Sequence, residues 1–204
     1  MKKTQTTNLY PYAELVIPCP KKSNRLTAFF RLFCVIPILI LFSLLMGTSA
    51  SNGCVIGGGM LFLPIAIMIL FRKKYPRIWF DWVYYLLKFE TRVFSYLFLL
   101  RDEYPAVEED QEIKLSLKYP DAAKELKRGM PLIKWFLAIP HYVILILLFL
   151  VVVIATFIAW ISILFIGKYP PKIHQFVVGV FRWGLRVTAY AFLMVTDKYP
   201  PFRF

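Results

Sequence analysis

Two stretches of this chain, Leu32 to Phe71 and Trp135 to Gly167, contain no Asp, Glu, Lys or Arg. A soluble core helix of about 10–14 residues accounts for neither block, whereas insertion into a bilayer accounts for both. Hydrophobic residues make up 59% of the 204 positions, more than a soluble domain of this size needs.

All the charge lies outside those blocks. The formal net charge is +13, from 25 Lys and Arg against 12 Asp and Glu. Lys21, Lys22, Arg25 and Arg31 precede the first block, and Arg72, Lys73, Lys74 and Arg77 follow it. Lys124, Lys127, Arg128 and Lys134 precede the second, and Lys168 and Lys172 follow. Basic clusters hugging apolar edges fit anionic headgroups and the positive-inside rule. No nucleic-acid motif accompanies them, so nucleic acid is not an expected partner. Cys19, Cys34 and Cys54 have neither metal-ligand spacing nor a disulfide pattern, and no metal or cofactor is expected.

The chain also repeats itself. Phe30–Pro37 matches Ile133–Pro140, and Ile69–Pro76 matches Ile163–Pro170. Arg92–Tyr96 matches Arg186–Tyr190, and Asp102–Pro105 matches Asp197–Pro200. Four matches in one order imply two copies, residues 1–105 and 112–204, joined by an acidic linker at 106–111. Because the second copy of the first helix sits mid-chain, Leu26–Met46 is not read as a signal peptide.

Each unit opens with a strand-like segment. Ile113–Tyr119 alternates apolar and polar residues, and Ala13–Ile17 is its less regular counterpart. Related by an axis along the membrane normal, the segments near Leu15 and Leu115 are expected to pair as an antiparallel ribbon packed on the helices below.

As one helix, the second apolar block would span about 50 Å, against a bilayer core of about 30 Å. A hairpin in each block leaves every basic cluster on one side, with the uncharged Gly47–Gly53 loop opposite. The expectation is a mainly α-helical membrane protein with four short transmembrane helices and both termini cytoplasmic. Pro37, Pro64 and Pro140 are expected to kink the helices, and one long kinked helix is the alternative to a hairpin for each block.

After each block comes a helix with a polar stripe. Asp81, Lys88, Arg92 and Ser95 form the first stripe, and Gln175, Arg182 and Arg186 the second, with aromatic residues around both. Such helices are expected to lie in the membrane interface.

At these residues the chain resembles a bacterial membrane-protein family known as domain of unknown function 4389. The resemblance rests on Trp135–His141, Gly167-Lys168-Tyr169-Pro170, Phe181-Arg182-Trp183 with Arg186-Val187, and Asp197–Phe202. It covers the second unit more fully than the first, where Lys73 replaces Gly167 and Ile38 replaces His141. It implies the architecture and a place in the bacterial cytoplasmic (inner) membrane, and it carries over no catalytic residue.

Arg92 and Arg186 occupy equivalent places, and a guanidinium fork suits phosphate. With Lys88 and Arg182 they are the candidate contacts for lipid headgroups; pairing with Asp102, Asp197 or the acidic linker is the competing reading. His141 is a candidate intramembrane polar site, or else a donor to the carbonyls that Pro140 frees. Gly57-Gly58-Gly59 reads as packing or a turn, not a phosphate loop. No nucleophile–base or paired-carboxylate arrangement is visible, so no catalytic residue is assigned. The expected function is non-enzymatic: organising membrane lipids, mainly anionic, or serving as accessory subunit of a membrane complex, with a second copy or another membrane protein as partner. A small channel or transporter is the alternative, and a membrane-embedded enzyme comes third.

Overall fold

The computed structural model describes residues 10–20, 23–46, 62–106, 111–127 and 129–204. The Gly47–Gly53 loop, the Gly57–Gly59 run and Glu108–Asp110 of the linker lie outside them. The described chain is mostly helical. In order it forms β1 (Ala13–Val16), α1 (Arg25–Met46), α2 (Phe62–Arg72), α3 (Arg77–Leu97), β2 (Lys114–Leu117), α4 (Ala122–Glu125), α5 (Met130–Ile166) and α6 (Pro171–Ala191).

The second apolar block is one continuous helix of 37 residues, α5, and not the expected hairpin. Turn chemistry explains the correction. Between Pro140 and Gly167 the sequence offers no Gly or Pro at which the chain can reverse, so intrahelical bonding runs unbroken through the block. Pro140 is accommodated inside the helix, and the run ends at Gly167, whose φ of 76° is the left-handed cap that glycine favours. Without that hairpin, the charge argument for two cytoplasmic termini loses its basis. Among the described residues α5 is the one helix long and apolar enough to cross a membrane. Its apolar side chains point outward: Phe136, Ile146 and Phe165 are 72%, 69% and 78% exposed.

α1 and α5 run antiparallel where they meet. The backbone N–H of Ser23 donates to Gly167 O at 3.1 Å, and Trp160 Nε1 donates to Ala28 O at 3.0 Å. The end of α2 lies near the opposite end of α5, where Ile65 and Ile69 join a core with Leu193, Met194 and Trp135. α3 packs on α1 through Val35, Ile38, Phe89 and Val93. α6 packs on α5 through Ala138, Trp183, Val187 and Tyr190.

The two strands form an antiparallel ribbon, with Leu15 opposite Leu115. Alternation buries Ala13 and Leu15 and leaves Glu14 and Val16 exposed. The buried face rests on α6 beside Val177, Val178 and Leu185. Burying a leucine side chain contributes roughly 1.5–3 kcal/mol, which a two-stranded ribbon needs from its neighbours.

Candidate functional site

α6 begins at Pro171, where the missing N–H of proline is of no consequence to the first turn. Arg182 and Arg186 stand four residues apart and therefore on one face. The ribbon and the segment after α6 cover much of that face, so both side chains are half-buried and do not form an open stripe. Arg182 Nε donates to Leu15 O at 2.8 Å, and Arg186 Nη1 donates to Arg203 O at 3.0 Å.

The register of the ribbon prepares the first of these bonds. Lys118 N donates to Tyr12 O at 3.0 Å, which makes Tyr12 and Lys118 a hydrogen-bonded pair. Alternation then leaves Leu15 and Leu115 as a non-hydrogen-bonded pair, with carbonyls pointing out of the ladder. Arg182 takes one carbonyl, and Tyr84 Oη takes the other at 2.9 Å.

The face gathers several cationic groups. Burial, followed by the charges of Arg182 and Arg203, lowers the pKa of Arg186. None of the ion pairs among the described residues involves Arg182, Arg186 or Arg203. His174, buried on the same helix, is held below its ordinary pKa by burial and then by Arg182 and Arg101. Tyr10 completes the surroundings; its hydroxyl donates to Lys198 O at 3.1 Å, and burial raises its pKa.

The aspartates expected near Arg92 and Arg186 are held elsewhere. Asp102 pairs with Arg31, and its other oxygen accepts from the N–H of Asn24 at 3.0 Å. Asp197 pairs with Lys134 at 2.7 Å, and its other oxygen accepts from the N–H of Lys127 at 2.8 Å. Arg31 lies 4.5 Å from the Tyr96 ring centroid, and Lys134 lies 5.3 Å from that of Tyr190. Sequence reasoning missed both clasps. Their signal was present, since Arg31 and Lys134 sit at one aligned position and Asp102 and Asp197 at another.

Arg92 is 2% exposed and donates Nη1 to Ala106 O at 2.5 Å, a bond of the same kind as that of Arg186. Burial at this depth differs from the open polar stripe expected for α3. Lys88 is half-buried on α3. His141 is fully buried and does not serve the carbonyls freed by Pro140. Its Nδ1 accepts from Trp183 Nε1 at 3.1 Å, and its ring stacks on Phe202 with centroids 4.0 Å apart. No group of His, Cys, Asp and Glu among the described residues is arranged to hold a metal ion.

Residues 130–203, which carry α5, α6, the Lys134–Asp197 clasp and the bond from Arg186 to Arg203, match a family model described as Domain of unknown function (DUF4389). The match detects one copy. Comparison with curated proteins gives no match, and neither does comparison with solved structures.

Proposed function

We propose that this chain is a non-enzymatic protein of the bacterial cytoplasmic membrane that organises anionic lipids. In this reading Arg182, Arg186 and Arg203 receive a lipid phosphate. The observation that carries it is the cationic face itself: three guanidinium groups near one another with no carboxylate partner among the described residues. Leaving the Arg182 and Arg186 charges half-buried is unfavourable, and a phosphate bound by guanidinium forks offsets that cost. The outward apolar side chains of α5 support membrane embedding, since in water they would form a large exposed patch.

Two copies of one unit fit the same reading. The Arg31–Asp102 and Lys134–Asp197 clasps, each with an aromatic ring under the cation, support it. Left-handed backbone at Lys73 and Gly167, and again at Leu99 and Met194, supports it as well.

Extraction in native polymer nanodiscs, followed by mass spectrometry of the retained lipid, tests the proposal. Replacing Arg182 and Arg186 together by Gln should lower retained anionic lipid several-fold and leave zwitterionic lipid unchanged. Equal anionic retention by a folded double variant rules the lipid role out.

A further inference from the structure

We propose a second binding site, for an ammonium group carried on an apolar chain, in the cleft between α3 and α6. Glu90 is its counter-ion, and the open space over Gly184 is its seat. The cleft has a volume of about 240 Å³ and is lined also by Leu15 of the ribbon and Phe149 of α5.

Its walls come from matching positions on the two helices. Residues 87, 90 and 94 of α3 and residues 181, 184 and 188 of α6 all line it, equivalent positions that stand 94 apart in the sequence (181 − 87, 184 − 90, 188 − 94). At the middle position α3 carries Glu90 and α6 carries Gly184. A Cβ added at Gly184 would meet nothing within 4 Å, so the vacant volume lies where a side chain would otherwise stand. At one end of it the helices touch through rings, Phe94 and Phe98 both meeting Phe181 at centroid distances of 6.5 and 5.3 Å. Those contacts space the helices at that end.

Among the described residues Glu90 is the one charged residue lining the cleft. It takes part in none of the ion pairs or side-chain hydrogen bonds among the described residues. Lys88 and Arg92 flank it in sequence but leave the helix about 200° away around its axis, so neither points into the cleft. Burial pushes the Glu90 carboxyl up to about 7. A carboxylate in apolar surroundings is unfavourable unless a cation or several donors meet it. The mostly apolar lining also selects the cation's carrier. Leucine and phenylalanine side chains accept an alkyl chain, and the single carboxylate accepts the ammonium at its end. An anionic or purely alkyl ligand would leave Glu90 unanswered. The site is distinct from the arginine face and stands or falls independently of it.

Photolabelling of the intact protein in phosphatidylcholine nanodiscs tests the site. The probe is a long-chain primary amine bearing a diazirine, with adducts mapped by mass spectrometry. Adducts are expected on the Phe149 and Phe181 segments, suppressed by excess dodecylamine and not by dodecanol. Glu90→Gln removes the charge without changing shape, and Gly184→Leu fills the seat with a residue that favours helix. Each should reduce labelling about tenfold, the equivalent of about 1.4 kcal/mol. Adding phosphatidylethanolamine to the nanodiscs separates two sources of the same ammonium. Suppression identifies the lipid headgroup, and persistence identifies a free amine. Labelling unchanged by either substitution, or suppressed equally by dodecanol, overturns the proposal.

Discussion

Lys134 Nζ lies 2.7 Å from Asp197 Oδ1, joining the first turns of α5 to the segment that follows α6. The lysine also donates to Thr196 O at 2.8 Å and is 1% exposed. Removing one partner of a buried pair leaves a charge without compensation, at about 3–5 kcal/mol. Lys134→Met and Asp197→Asn should each lower stability by about 3 kcal/mol, and the double variant should lose much less than their sum. Thermal unfolding of all four proteins in one detergent measures this; strictly additive losses would refute the coupling.

Gly167 and Lys73 both adopt left-handed backbone, at φ 76° and 50°. A Cβ at Gly167 would meet Arg25 Nε at 3.4 Å, an ordinary contact, so the backbone angle decides the cost. Gly167→Ala should therefore destabilise by about 1 kcal/mol. Lys73→Gly should stabilise by about 1 kcal/mol, since relief of strain outweighs the extra chain entropy of glycine. Denaturant titration of the two variants checks both signs, and a destabilised Lys73→Gly would count against the strain.

The Glu90 carboxyl titrates near 7 in the folded protein, above its ordinary value of 4.5. A raised acid binds more protons folded than unfolded, so its contribution favours the fold at low pH. That contribution is lost as pH rises from about 4.5 through about 7. The effect is about 2 kcal/mol after allowing for partial exposure. Unfolding midpoints from pH 4.5 to 8 should fall more steeply for the wild type than for Glu90→Gln. Parallel profiles would show that Glu90 is solvated.

The ribbon register fixes which amides are protected. Lys114 and Ser116 lie in hydrogen-bonded pairs with Val16 and Glu14, whereas the N–H of Leu115 points out of the ladder. Hydrogen exchange in nanodiscs should be slow at Lys114 and Ser116 and faster at Leu115. Coil-like rates at all three would mean that the strands do not pair.

The ribbon was legible because Ile113–Tyr119 alternates without a break and Ala13–Ile17 follows a similar, less regular pattern. Helix over the apolar blocks was legible too, from length and composition. The hairpin in the second block was misread because the positive-inside rule weighs charges at the ends and ignores what a turn requires. No residue between Pro140 and Gly167 supplies one. The arginines were found as a pair, but their partners were not. A carbonyl acceptor such as Leu15 O or Arg203 O has no side-chain signature, so backbone bonds cannot be read from residue type. The cleft at Glu90 was hidden for a related reason. It depends on how two helices 94 residues apart approach one another, and a single glutamate among aromatic residues gives no hint of a missing neighbour.

The pairing of Leu15 with Leu115 sets a waiting time for the nascent chain. β1 is among the first elements made, yet its partner follows 100 residues later (115 − 15). At about 5–20 residues per second, that interval is about 5–20 s. Throughout it β1 is a lone strand with both edges open, the condition in which short apolar segments pair with the wrong chain. Glu14, which stands outward in the finished ribbon, places a charge in the middle of that segment and disfavours such pairing. The C-terminal half therefore completes a structure that the N-terminal half cannot close alone, and truncation before β2 should leave a chain that aggregates.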